Sequence, residues 1–216
     1  MRKAQKENLI KAAESINPSD RWHIYCADMT EWQAPRQYDF IITDPPYPKE
    51  YLPLYENLAK RATEWLKPGG LMVVMCGQSY LNEIYQSMSK HIKYYWTGCY
   101  LTPGQPKPLR QRNVNTTWKP LLMFGEYTGK IFGDVFTSDK NEKSLHEWGQ
   151  SESGMLSIIS KMCLPGQYIL DPFCGAGTTG LMAIKHGCLF DGIDTNSDNV
   201  KITQGRIQEY DKTTKR

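Results

Sequence analysis

The chain has 216 residues, 40% hydrophobic, 12% aromatic and 23% charged, with a net charge of +3. That is the make-up of one ordinary globular domain; it excludes disordered, collagen-like and coiled-coil chains and permits, without demanding, a nucleic-acid partner. No apolar run reaches the ~18 residues of a membrane span, the N-terminal segment lacks the apolar centre of a secretory leader, and the six cysteines show no Cys-x-x-Cys spacing, so a cytoplasmic protein without metal or disulfides is expected.

In chain order, apolar runs bounded by turn signals predict strands over Trp22–Cys26, Tyr38–Thr43, Leu71–Cys76, Ile92–Leu101, Trp118–Phe124, Tyr168–Leu170 and Cys188–Ile193. Helical spacing predicts Tyr51–Leu66, closed by Lys67-Pro68-Gly69-Gly70, then Ser79–Lys90, Gly154–Cys163, Thr178–His186 and Ser197–Tyr210. Strands alternating with helices give an α/β class, a mostly parallel sheet with helices on both faces. The stretch Thr102–Thr117, with three prolines, four amides and three cationic residues, reads as a surface loop.

Two loops carry chemistry. The first is Asp44-Pro45-Pro46-Tyr47, directly after a predicted strand. Its prolines forbid a continuing helix or strand and hold a carboxylate, a backbone carbonyl and an aromatic face together. That set suits a planar ring bearing an amino group; the bland alternative is a turn in which Asp44 only caps. The second is Asp171-Pro172-Phe173-Cys174-Gly175-Ala176-Gly177-Thr178-Thr179-Gly180, between a predicted strand and a predicted helix. Glycines 175 and 177 allow a tight turn and close approach of a ligand, and Asp194, after the next predicted strand, suits two ribose hydroxyls. On spacing alone this loop also fits a dinucleotide-binding oxidoreductase. That reading leaves Asp44–Tyr47 unexplained, and it would place the glycine loop near the start of its domain.

Together the two loops resemble the amino-methyltransferase family, S-adenosylmethionine-dependent enzymes that methylate exocyclic amines of adenine or cytosine in DNA. Asp44–Tyr47 looks like the family's catalytic D-P-P-Y, and Asp171–Thr179 like its D-P-F-x-G-x-G-T-T cofactor loop. Their order matches the permuted β class. The resemblance implies a Rossmann-like fold with a mostly parallel, seven-stranded sheet. It also implies roles: Asp44, Pro45, Pro46 and Tyr47 catalytic; Asp171, Pro172, Phe173, Cys174, Gly175, Gly177, Thr178 and Thr179 around the cofactor. Asp28 would bond the cofactor's adenine amine and Asp194 its ribose. His146-Glu147-Trp148-Gly149-Gln150-Ser151 resembles the segment that closes over the methionine part, with Gln150 and Ser151 as candidate carboxylate donors, although Glu147 replaces the usual proline and no lysine follows Gln150.

The implied reaction is methyl transfer to the N6 amine of an adenine flipped out of DNA, a step that costs a few kcal/mol of stacking and pairing. Asp in the first position of the tetrapeptide favours adenine; N4-cytosine and RNA N6-adenine are the alternatives. The stretch 102–119 carries Lys107, Arg110, Arg112 and Lys119 without an acid, so it is expected to meet phosphates or base edges. The expected layout is one catalytic domain over residues 1–216: an N-terminal segment 1–20, this basic loop, a reduced target-recognition region 125–145 and a tail 211–216. With so little room for recognition, relaxed specificity or a homodimer is expected, in a bacterial or phage-infected cell.

Overall fold

The computed structural model describes residues 20–103, 107–139 and 151–214. In chain order these residues form β1 (Trp22–Cys26), β2 (Tyr38–Thr43), α1 (Leu52–Trp65), β3 (Leu66–Met75), α2 (Leu81–Met88), β4 (Tyr94–Leu101), β5 (Lys107–Leu109), β6 (Val114–Thr116), β7 (Trp118–Gly125), β8 (Val135–Thr137), α3 (Glu152–Met162), β9 (Tyr168–Asp171), α4 (Thr178–Lys185), β10 (Leu189–Asp194) and α5 (Ser197–Thr214).

One sheet has the order β1-β10-β9-β2-β3-β7-β4-β8. Strands β1, β10, β9, β2 and β3 are parallel neighbours. β7 runs antiparallel to both β3 and β4. β2 is buried almost end to end, which is why its sequence, YDFIIT, reads as a nearly unbroken apolar run.

The two-residue period of the strands sorts the core into two layers. Phe40, Ile42, Leu71, Val73 and Met123 join residues of α3, α4 and α5, among them Ile158, Ala183 and Ile207. Ile41, Met72, Val74 and Phe124 join Leu58, Trp65, Ile84 and Met88 of α1 and α2. Helix α1 buries Tyr55, Leu58, Ala59, Ala62 and Trp65, the stripe its spacing predicts, and carries a proline in its first turn, where no N–H partner is lost. Two acids among the described residues lie inside the fold, Asp171 at the end of β9 and Asp191 of β10; Asp191 accepts from the Tyr38 hydroxyl at 2.6 Å and faces His23 at 3.2 Å and Arg36 at 3.5 Å.

All seven predicted strands are present, and the sheet gains an eighth, β8, inside the region 125–145. The stretch Thr102–Thr117 is not wholly irregular: β5 and β6 pair antiparallel across a short 3-10 turn, Arg110–Arg112, with Asn113 left-handed at φ 53°. Lys119 lies outside that loop, within β7. Lys67–Gly70 ends α1 as expected but already belongs to β3, whose register against β2 shifts between Tyr38 and Phe40 to absorb it.

This topology positions the site. β9 leads through α4 to β10 on one side of the sheet, and β2 leads through α1 to β3 on the other. The chain thus departs in opposite directions from two adjacent parallel strands, which opens a crevice at their carboxyl ends.

Candidate active site

Both chemistry-bearing loops stand at that crevice. Asp44 follows β2 directly, and Asp171 is the last residue of β9. The Thr43 hydroxyl donates to Asp171 Oδ1 at 2.7 Å, tying the two strand ends together. The N–H of Phe173 donates to the same oxygen at 3.1 Å. Burial pushes the Asp171 carboxyl up to about 6 despite the opposing hydroxyls of Thr179 and Thr43 and the Phe173 N–H; the nearby Asp44 pushes the same way as burial. Asp171 is therefore a loop anchor, spent on protein donors.

Around Asp44 the loop is held by its own Tyr47 and by side chains of two elements. The Tyr47 hydroxyl donates to Asp44 Oδ1. Lys119 of β7 places its Nζ 3.9 Å from Asp44 Oδ2 and 5.1 Å from the centre of the Tyr47 ring. Tyr55 of α1 donates to the Pro46 carbonyl at 3.3 Å. Burial, then the Asp44 charge, holds the Tyr47 phenol well above its ordinary range, so it remains a proton donor. The same two causes push the Cys76 thiol beneath the loop up to about 12, which keeps it a thiol.

The glycine loop depends on backbone shape. Gly175 sits at φ 49° and Gly177 at φ 78°, a region L side chains rarely adopt. A Cβ on Gly177 would lie 2.4 Å from Thr203 Cγ2, whereas one on Gly175 would have nothing within 4 Å. Gly177 thus lets the loop pack on α5, and Gly175 leaves open space beside it. The N–H of Gly175 donates to Asp194 Oδ2 at 2.9 Å. Asp194 Oδ1 accepts from the Asn196 N–H at 2.8 Å and from Asn199 Nδ2 at 3.2 Å. Asp194 therefore already shapes the loop before any ligand arrives.

Three residues of α5 brace this loop. Asn199 reaches Asp194, the Thr203 hydroxyl donates to the Gly175 carbonyl at 2.9 Å, and Arg206 donates to the Ala176 carbonyl. Arg206 also meets Glu152 at 2.8 Å, linking the start of α3 to the loop. Thr203, Arg206, Glu152, Thr43 and Tyr55 escape sequence reasoning. For the residues on α5 a signal exists: positions 199, 203 and 206 fall on one helical face.

Other predicted residues are placed as follows. Asp28 is exposed just past β1, its Oδ1 accepting from the Thr30 hydroxyl at 2.7 Å and the Thr30 N–H at 2.8 Å, contacts that lower its pKa. Cys26 pairs with Asp194, so Asp28 and Asp194 stand at adjacent strand ends. The Ser151 hydroxyl accepts from the Gly154 N–H at 3.1 Å as the N-cap of α3 and lies 3.0 Å from the Ser153 hydroxyl. Gln150 and the rest of 140–150, and the N-terminal 1–19, lie outside the described residues, as does the side chain of Lys107. Arg110 and Arg112 are exposed at the hairpin turn; Arg112 donates to the Ser79 carbonyl at 3.3 Å. Lys119 does not face outward with them but turns to Asp44 and Tyr47, because β7, antiparallel to β3, begins beside the carboxyl end of β3 at the crevice.

The chain is similar to several known methyltransferases. A family model described as DNA methylase matches residues 110–205, and one described as an RMKL-like methyltransferase domain matches residues 4–99. The type II methyltransferase M2.DpnII of Streptococcus pneumoniae is 36% identical over 90 residues, 39% of this chain and 34% of that protein. M.HpaI of Haemophilus parainfluenzae is 25% identical over 78% of this chain and 68% of its own length. The crystal structure of the M1.HpyAVI–SAM complex superposes with a TM-score of 0.72 at 25% identity, covering 86% of this chain and 98% of that one. The alignment thus spans only about a third of the first relative and about two thirds of the second.

A mainly parallel sheet with a glycine loop and a D-P-P-Y loop on adjacent strands defines the S-adenosylmethionine-dependent methyltransferase class. Within that class, the chain is similar to DNA amino-methyltransferases of the permuted motif order.

Proposed function

We propose that this protein transfers a methyl group from S-adenosylmethionine to the N6 amine of an adenine flipped out of DNA. The observation that carries the proposal is the junction of the two loops: Asp44 follows β2, Asp171 ends β9, and Thr43 bonds Asp171 across the gap. The loop residues suit the cofactor. Open space beside Gly175 admits a ligand against the backbone, and the carboxylates of Asp28 and Asp194 are acceptors for an amine and for hydroxyls. When bound, the cofactor supplies an electrophilic methyl group on a sulfonium.

An exocyclic amine is a poor nucleophile because its lone pair is delocalised into the ring. In this reading Asp44 accepts one amine hydrogen and the Pro45 carbonyl the other, which favours a more pyramidal nitrogen with a localised lone pair. Tyr47 stacks on the base and offsets part of the flipping cost. Pro45 and Pro46 hold these groups in fixed relation, and such orientation lowers a barrier by several kcal/mol. Asp at position 44 favours adenine, within a family that also holds N4-cytosine enzymes. The hairpin Lys107–Thr116 is assigned to the nucleic acid, with Arg110 and Arg112 facing phosphate.

The test is incubation with radiolabelled S-adenosylmethionine and either DNA or RNA, followed by nucleoside analysis. Label in N6-methyldeoxyadenosine is expected. Label in N4-methyldeoxycytidine overturns the choice of base, and label confined to RNA overturns the choice of substrate.

A further inference from the structure

We infer that Lys119 is a placeholder for the target base, an internal cation that fills the amine site and must withdraw when the base arrives. The inference rests on the reading of Asp44–Tyr47 as the amine-binding loop.

The Asp44 side chain is only 20% exposed. A carboxylate so enclosed is costly without partners, so a site that awaits its substrate needs substitutes for it. Oδ1 takes the Tyr47 hydroxyl, and Oδ2 faces the Lys119 ammonium at 3.9 Å. The same ammonium lies 5.1 Å from the centre of the Tyr47 ring. A carboxylate oxygen and an aromatic face are the two features that a planar ring bearing an amine would use here. Lys119 already engages both.

It cannot stay during the reaction. Methyl transfer moves positive charge from the sulfonium onto the acceptor nitrogen, and an ammonium within a few ångströms of that nitrogen opposes the change by like-charge repulsion. Its backbone is fixed in β7 opposite Tyr100, but a four-carbon stem whose side chain is 30% exposed is free to swing away. An internal competitor of this kind lowers apparent affinity for the base by the fraction of time the site is free.

The test compares Lys119→Met, which keeps the stem and removes the charge, with Lys119→Arg. Initial rates on unmethylated plasmid DNA give KM and kcat separately, and calorimetry with S-adenosylmethionine confirms that each variant is folded. Fluorescence anisotropy of a labelled single-stranded oligonucleotide gives affinity without turnover. Lys119→Met is expected to lower KM and tighten oligonucleotide binding by about threefold or more, and Lys119→Arg, which keeps the charge, to show no such tightening. A weaker or unchanged affinity in Lys119→Met overturns the inference and returns Lys119 to a phosphate contact or a structural role. Equal effects of Met and Arg overturn it too, because charge is then not the cause. If the wild type neither binds nor methylates DNA, the reading of the site fails and takes the inference with it. If the wild type methylates DNA and Lys119→Met binds no tighter, the inference fails alone.

Discussion

Asp44 and Asp171 stand at the ends of adjacent strands yet meet opposite demands. Asp44 faces Tyr47 and Lys119, groups that a substrate can exchange. Asp44→Ala is therefore expected to reduce methyl transfer at least ~10²-fold, the scale on which positioned groups act, while S-adenosylmethionine affinity changes little; a transfer assay and calorimetry check the two halves. Asp171 is held by Thr43 and by the backbone of its own loop. Burial pushes its carboxyl up to about 6, so the folded chain keeps a proton that the unfolded chain loses near pH 4. The contribution to stability is full below that point and is lost as pH rises through about 6. Asp171→Asn should remove this dependence. Its stability relative to wild type, from urea unfolding at several pH values, should rise by up to about 3 kcal/mol between pH 4 and 7. At this scale the sequence was most legible where chemistry lies in consecutive residues, as in Asp44–Tyr47. It was least legible where partners are remote: Thr43 and Asp171 are 128 positions apart, and nothing local marks Thr43 as a hydrogen-bond donor to the loop.

The elements show the same division. β2 and α1 were readable because burial imposes a period or a continuous apolar run on them. β5, β6 and β8 have three residues each, too few to display any period. The hairpin was hidden further by Pro108, which cannot donate to a ladder, and by a turn closed on left-handed Asn113. Its consequence for function is local. Arg110 and Arg112 share the exposed turn, so reversing both charges should weaken DNA binding and flatten its salt dependence by up to about two units of slope, one for each phosphate contact. Binding titrations at several salt concentrations check this, and an unaltered slope would return the turn to solvent. Helix α5 acts as a brace, its face of Asn199, Thr203 and Arg206 holding the glycine loop from behind.

For the whole molecule, the decisive feature is the switch point between β9 and β2. The chain reaches β2 early and β9 late, so the D-P-P-Y loop precedes the glycine loop in sequence while the two meet in space. That order was legible from the two motifs; the Thr43 link that joins them was not. No described helix is long and apolar enough to cross a membrane. In the proposed reaction one crevice holds both the cofactor and a flipped adenine, with Asp44 on the amine. Single-molecule sequencing of genomic DNA from cells expressing the wild type and Asp44→Ala tests it most directly. The account predicts N6-methyladenine at a defined site with the wild type and none with the variant. Methylation that persists with Asp44→Ala, or N4-methylcytosine in place of N6-methyladenine, would contradict it.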